Sequence, residues 1–174
     1  MDNVIAVLGT GRESGKTTTM EELIRELTRR GYRVGAIKQI HEEDFSIDTP
    51  KKDTWRIADA GASIVVAAAP REVAAIKRLQ SEERFTEALK LMEGEDLDII
   101  LVEGNPPMGM PKIFVARSPE AVKRIMSKVS GKIICISSFS PETFDKREFE
   151  FVYHPKKDVK KMANLIENSL FENP

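Results

Sequence analysis

Gly9-Thr10-Gly11-Arg12-Glu13-Ser14-Gly15-Lys16-Thr17-Thr18 lies between an apolar run, Val4-Ile5-Ala6-Val7-Leu8, and an amphipathic segment from Met20 to Arg30. A buried strand, a glycine-rich turn, Gly-Lys-Thr and a helix follow one another. That is the order in which a chain builds a cradle for the phosphates of a nucleoside triphosphate. Glycines let consecutive backbone N–H groups face one anion without a Cβ in the way. A helix opening near Gly15 adds the positive end of its dipole. In such a cradle Lys16 reaches the β and γ oxygens, and the Thr17 hydroxyl ligates Mg²⁺. A turn that only joined strand to helix would need neither the lysine nor the threonine. The spacing is unusual: five residues separate Gly9 from Gly15, and Thr10 stands where the first glycine of the common pattern falls. All ten residues from Gly9 to Thr18 are candidate nucleotide contacts. Arg12 is either a phosphate contact, in its own subunit or a neighbour's, or a solvated loop tip.

Working outward, Met20, Leu23, Ile24 and Leu27 share one face of a helix that Gly31 closes, and Val34-Gly35-Ala36-Ile37 makes a second strand. Strand–helix–strand at this length implies a right-handed crossover and a parallel pair. Asp53 reads as the N-cap of a short helix over 54–60. Ser63–Ala69 and Glu72–Leu79 read as an antiparallel pair turned at Pro70, and Glu82–Met92 as a helix. Asp98–Val102 is another buried strand, Pro111–Arg117 a strand, Pro119–Ser127 a helix, Lys132–Ser137 the last core strand, and Asp158–Leu170 the closing helix. This alternation predicts a three-layer α/β sandwich of the P-loop NTPase type. Its sheet is mostly parallel with some antiparallel strands, and residues 1–174 form one nucleotide-binding domain. Ligands of such sheets sit outside the carboxyl ends of the strands, so the loops after Leu8, Lys38 and Val102 should share one crevice.

Glu103 ends the apolar strand at that crevice. A carboxylate there holds Mg²⁺ or orients water, and Asp48, on the loop after the second strand, is a candidate for the same work. Lys16, Asp48 and Glu103 are thus the candidate catalytic residues, and Thr17, Asp48 and Glu103 the candidate metal ligands. Lys38 is either a phosphate contact or a surface lysine. His41 beside Glu42, Glu43 and Asp44 lacks metal-ligand spacing on a regular element.

The chain has 174 residues, 41% hydrophobic and 32% charged, with a net charge of −1. The composition is that of a globular domain, and no global field draws it to nucleic acid or to a membrane surface. Its one cysteine, Cys135, lies in an apolar run and reads as a core thiol. With neither a secretory start nor a membrane-length apolar stretch, the cytoplasm is the expected compartment.

Several segments together resemble the molybdopterin-guanine dinucleotide biosynthesis adapter family, MobB. They are the strand and phosphate loop, Gly31-Tyr32-Arg33-Val34 leading to Ile37-Lys38, Asp48-Thr49-Pro50-Lys51-Lys52-Asp53-Thr54-Trp55-Arg56 followed by Ala60-Gly61-Ala62, Ile100-Leu101-Val102-Glu103-Gly104, and Pro111-Lys112-Ile113. The likeness covers about residues 3–117. The most specific piece is the Asp-x-Pro-x-Lys-Asp block, which generic P-loop proteins lack. The resemblance implies a GTP-binding adapter with Mg²⁺, weak intrinsic hydrolysis and a homodimer. Its partner would be a molybdopterin nucleotidyltransferase, with molybdopterin itself a second ligand, in molybdenum or tungsten cofactor assembly. The chain departs from the family pattern in places. A single histidine replaces a His-rich run after Lys38, Lys51 stands where the family carries glycine, and Asn105-Pro106 replaces Phe-Lys. No Asn-Lys-x-Asp guanine motif follows a late strand, so ATP stays open beside GTP. The longer phosphate loop is similar to that of dethiobiotin synthetase, which makes an ATP-dependent small-molecule kinase or ligase the alternative reading.

Overall fold

The computed structural model describes residues 3–11, 13–42, 44–79, 83–106 and 109–171. In chain order the elements are β1 Val4–Gly9, α1 Lys16–Arg29, β2 Val34–Lys38, α2 Asp53–Asp59, β3 Val65–Ala68, β4 Val73–Ile76, α3 Arg84–Lys90, β5 Ile99–Glu103, β6 Lys112–Val115, α4 Pro119–Met126, β7 Ile133–Ser137, β8 Val152–Tyr153 and α5 Val159–Phe171. They fall into two compact units, one formed by residues 1–39 with 92–174 and the other by 40–91.

The larger unit is a six-stranded sheet in the order β2-β5-β1-β6-β7-β8, every neighbouring pair parallel. Helices cover both of its faces, so its central strands are continuously apolar rather than alternating. Ile5 and Val7 of β1, with Ile113 and Val115 of β6, pack on Leu23 and Leu27 of α1 and Met162 and Ile166 of α5. The residues between them, Leu8, Phe114 and Ala116, point the other way, toward Val122 of α4, Phe144 and Phe149. Each fully buried aliphatic side chain contributes about 1.5–3 kcal/mol, against about 0–1 for an exposed ion pair, so these two clusters carry the fold.

One polar contact crosses the helical layer. Glu26, nearly buried, accepts from Arg29 at 2.8 Å and from Arg30 at 2.9 Å. Arg30 in turn reaches Asn164, Glu167 and the Lys160 carbonyl on α5. Arg29 above all, and Arg30 with it, hold the Glu26 carboxyl down at about 2 against the pull of burial. Burial pushes the Cys135 thiol up to about 12, as suits a core residue.

In the smaller unit β3 and β4 form an antiparallel hairpin with Val65 opposite Ile76, turned through Pro70 as expected. Phe85 and Leu89 of α3 are buried, and the Arg78 guanidinium lies over Trp55 at 5.3 Å. Glu87, held by Lys77 and then Lys90, sits at about 2.

Four expectations need correction. β1 and β2 do not form a pair, because β5 lies between them, parallel to both. Asp53 is the first residue of α2, not its cap; Lys52 holds the cap position, with no side-chain hydrogen bond. The helix expected over 82–92 is seen as Arg84–Lys90, Glu82 lying outside the described residues. Strand β8 was not foreseen, because two residues are too few to show a period.

Candidate functional site

β1 sits in the middle of the sheet, between β5 and β6, so the loop that leaves it at Gly9 is flanked by the carboxyl ends of both neighbours. Within this loop Gly11 has φ 150°, Gly15 φ 100° and Glu13 φ 57°. A Cβ on Gly9 would stand 2.4 Å from Ser14 Oγ and 2.9 Å from Lys16 Cγ, and would displace both. Lys16 Nζ bends back into the turn and donates to the Gly11 carbonyl at 2.6 Å and to Ser14 Oγ at 3.3 Å. Gly15 is the N-cap of α1; among the described residues no side chain caps this helix, and no acid occupies its first turn. Its amino end is therefore left for an anion.

On the β5 flank, Thr17 Oγ1 donates to Glu103 Oε2 at 3.3 Å. A hydroxyl and a carboxylate oxygen side by side are the hard donors that Mg²⁺ takes. Gly104 N donates to the Val7 carbonyl, and Gln39 N to the Glu103 carbonyl, so the three expected loops meet. Lys38 is exposed at the end of β2, in register with Glu103. Thr10 and Thr18 are half-buried in the loop and the first turn of α1.

On the opposite flank Arg117, just past β6, donates from Nε to the Glu13 carbonyl at 3.1 Å, and from Nη2 to the same oxygen. It thereby supports the one left-handed non-glycine residue described in the loop.

A family model described as MobB, molybdopterin guanine dinucleotide synthesis protein B, matches residues 4–138. The chain belongs to the MobB family. It is 30% identical over 172 residues to a molybdopterin-guanine dinucleotide biosynthesis adapter protein of Haemophilus influenzae, covering 98% of this chain and 92% of that one. A protein of the same description from Escherichia coli is 31% identical over 134 residues, 76% of each chain. Among solved structures, Bacillus subtilis MobB superposes with a TM-score of 0.73 at 22% identity, over 98% of this chain and 99% of the other. The sheet and phosphate loop are those of a P-loop NTPase fold.

Other candidate residues lie away from the loop. Asp48 belongs to the smaller unit, where its Oδ1 accepts the Thr54 hydroxyl at 2.8 Å. Its Oδ2 is buried with no partner among the described residues. Lys51 has φ 70°, a left-handed conformation that glycine adopts more readily. Lys112, of the Pro-Lys-Ile segment, is buried at the amino end of β6, away from the loop, and burial lowers its pKa. Arg12 lies outside the described residues. Among those residues no group of three His, Cys, Asp or Glu could hold a metal, and no helix is long and apolar enough to cross a membrane.

Sequence reasoning missed Arg117, Phe139 and Gln39. Each stands just past the carboxyl end of a parallel strand, which is where such sheets place ligand contacts. Gln39 packs so closely on Gly104 that a Cβ there would lie 2.2 Å from its Oε1, an oxygen with no partner among the described residues.

Proposed function

We propose that the chain binds GTP with Mg²⁺ on the phosphate loop, ATP being the competing nucleotide, and serves as the adapter of a molybdopterin nucleotidyltransferase. The observation that carries this reading is Lys16. Its ammonium is stored on the Gly11 carbonyl and Ser14 hydroxyl, inside a turn where any Cβ on Gly9 would displace Ser14 Oγ and the Lys16 stem. Neutral acceptors of that kind exchange readily for phosphate oxygens, because charge-assisted hydrogen bonds are about twice as strong. The loop N–H groups and the end of α1 would hold the phosphates, and Thr17 and Glu103 the metal. When bound, Mg²⁺ would neutralise the phosphate charge. Asp48, of the smaller unit, is kept as a candidate metal ligand on its own chemistry, one carboxylate oxygen being unpartnered among the described residues. Lys38 and Arg12 would add phosphate contacts.

The relatives from Haemophilus influenzae and Escherichia coli are described as adapter proteins, which supports action through a partner. We assign the docking of that partner to the loop from Gln39 to Lys52, and we include molybdopterin as a second ligand, in a molybdenum or tungsten pathway of the cytoplasm. A homodimer belongs to the same reading. The smaller unit exposes Phe45, Ile47, Val66 and Val73, apolar side chains that a second copy could cover. Sedimentation should then give twice the monomer mass.

The adapter role is tested by the rate of nucleotide attachment to molybdopterin with the transferase alone, with this protein, and with its Lys16→Ala variant. Stimulation by the wild type only is expected, and the isolated protein should turn over GTP at about 10⁻⁴–10⁻³ s⁻¹. Unassisted turnover near ~1–10 s⁻¹, ordinary for an enzyme, would instead support the kinase or ligase reading.

A further inference from the structure

The Thr17–Glu103 contact marks where a metal, and with it the terminal phosphate, would sit: on the β5 flank of the loop. The sheet order β5-β1-β6-β7 then leaves one direction for the rest of a nucleotide, over the carboxyl ends of β6 and β7. Phe139 stands there, two residues past β7. Its ring lies against the phosphate loop so closely that a Cβ on Gly15 would be 2.6 Å from its Cε2. Even so, 46% of the residue is exposed, while Phe114, Phe144 and Phe149 on nearby elements are all buried.

The ring is also held in place. His154 meets it edge-on, with centroids 5.5 Å apart and planes at 86°. His154 is itself fixed, its Nδ1 accepting from the N–H groups of Lys156 and Lys157 at 3.2 and 3.3 Å. The strand end beneath is tied down by a buried hydrogen bond between the Ser137 and Thr19 hydroxyls at 2.9 Å, by Ser138 N donating to the Tyr153 carbonyl, and by Ser140 N donating to Ser138 Oγ. Phe45, Phe151 and Phe171 are about as exposed; what sets Phe139 apart is that its ring packs on Gly15 of the loop and is met edge-on by His154. This one is braced with about half its surface open, next to the place where an anion would bind.

We propose that Phe139, propped by His154, is the platform on which the nucleobase stacks. The inference rests on the nucleotide reading of the phosphate loop and adds the element that reading lacks, a contact for the base. Stacking on an aromatic face tolerates any base, since every base has a π-face. It therefore fits a chain that carries no guanine-specific motif.

The experiment is calorimetric titration of the wild type, Phe139→Leu and Phe139→Trp with GTP, ATP and inorganic tripolyphosphate, all with Mg²⁺. Leucine keeps an apolar contact with Gly15 but has no π-face. It should weaken GTP and ATP alike by roughly 5- to 100-fold, the range for loss of one base–aromatic stack. Tripolyphosphate affinity should stay within about two-fold, since no base contact is involved. Tryptophan should restore both nucleotides. Undiminished GTP and ATP binding by the leucine variant would overturn the platform while leaving the phosphate site standing. An equal loss of tripolyphosphate would do the same, showing that the ring only shapes the loop. A wild type that binds neither tripolyphosphate nor nucleotide would overturn the phosphate site and the platform together.

Discussion

The two flanks of the phosphate loop are built from different materials. Toward β5 lie Thr17 in the first turn of α1 and Glu103, Lys38 and Gln39 at neighbouring strand ends, all polar. Toward β6 and β7 lie Arg117, which braces the Glu13 carbonyl, and Phe139, which packs on Gly15. On our proposal the first flank is where the metal and the terminal phosphate would sit. The second has a cation, paired with Glu13, and an open ring. A loop with one hard, oxygen-rich side and one aromatic side suits a ligand with a charged tail and a flat head. The direction in which such a ligand would lie is thus set by the strand order, not by the loop motif.

Substitutions can break this comparison in order of severity. Gly15→Ala touches both flanks, since it forces a Cβ residue into φ 100° and pushes it against Phe139. Strain of about 1–2 kcal/mol together with a lost phosphate contact of about 1.5–3 kcal/mol predicts a drop in nucleotide affinity of about 100-fold or more. A loss below about ten-fold in that titration would show that the loop tolerates a side chain there. Glu103→Gln should act on one flank alone, lowering Mg²⁺-dependent GTP affinity by roughly ten-fold, with metal-free binding unchanged. Equal losses with and without metal would make Glu103 a structural residue. Arg117→Ala, on the other flank, removes support from the loop without removing a ligand. A loss of about five-fold, the size of one ordinary hydrogen bond, is expected for GTP and tripolyphosphate alike.

Two smaller effects lie outside the loop and should leave both flanks untouched. Lys51→Gly relieves a left-handed lysine and should raise stability by about 0.5–1 kcal/mol, read as a higher thermal midpoint. Glu26→Gln should lower the midpoint at neutral pH. The Glu26 carboxyl titrates at about 2 in the folded protein and near 4.5 when free of its arginines, so its contribution is complete above about pH 4.5. It fades as pH falls toward 2, and the gap between variant and wild type should narrow over that interval. A gap that stayed constant down to pH 2 would mean that the arginines do not stabilise the charge.

These regions also differ in how far they could be read beforehand. The phosphate loop, Glu103, the parallel sheet and the β3–β4 hairpin were legible because residue type and spacing carry them. Gly-Lys-Thr has few uses, and four apolar residues running into an acid mark a buried strand's carboxyl end. Phe139 and Arg117 were not legible. Nothing in Ser138-Phe139-Ser140 differs from an ordinary loop until β7 is placed two strands from β1. Asp48 was singled out for its residue type and its place after the second strand, and the sequence did not show that it holds Thr54. Likewise β8 exists only because Val152 and Tyr153 find β7, a tertiary pairing with no local pattern.

Lys16 is the residue on which nucleotide binding should turn. Calorimetric titration of Mg²⁺–GTP into the wild type and into Lys16→Ala, with circular dichroism to confirm that the variant is folded, tests it most directly. Removing one charge-assisted contact should weaken binding about ten- to a hundred-fold. Equal affinity in a folded Lys16→Ala protein would contradict it.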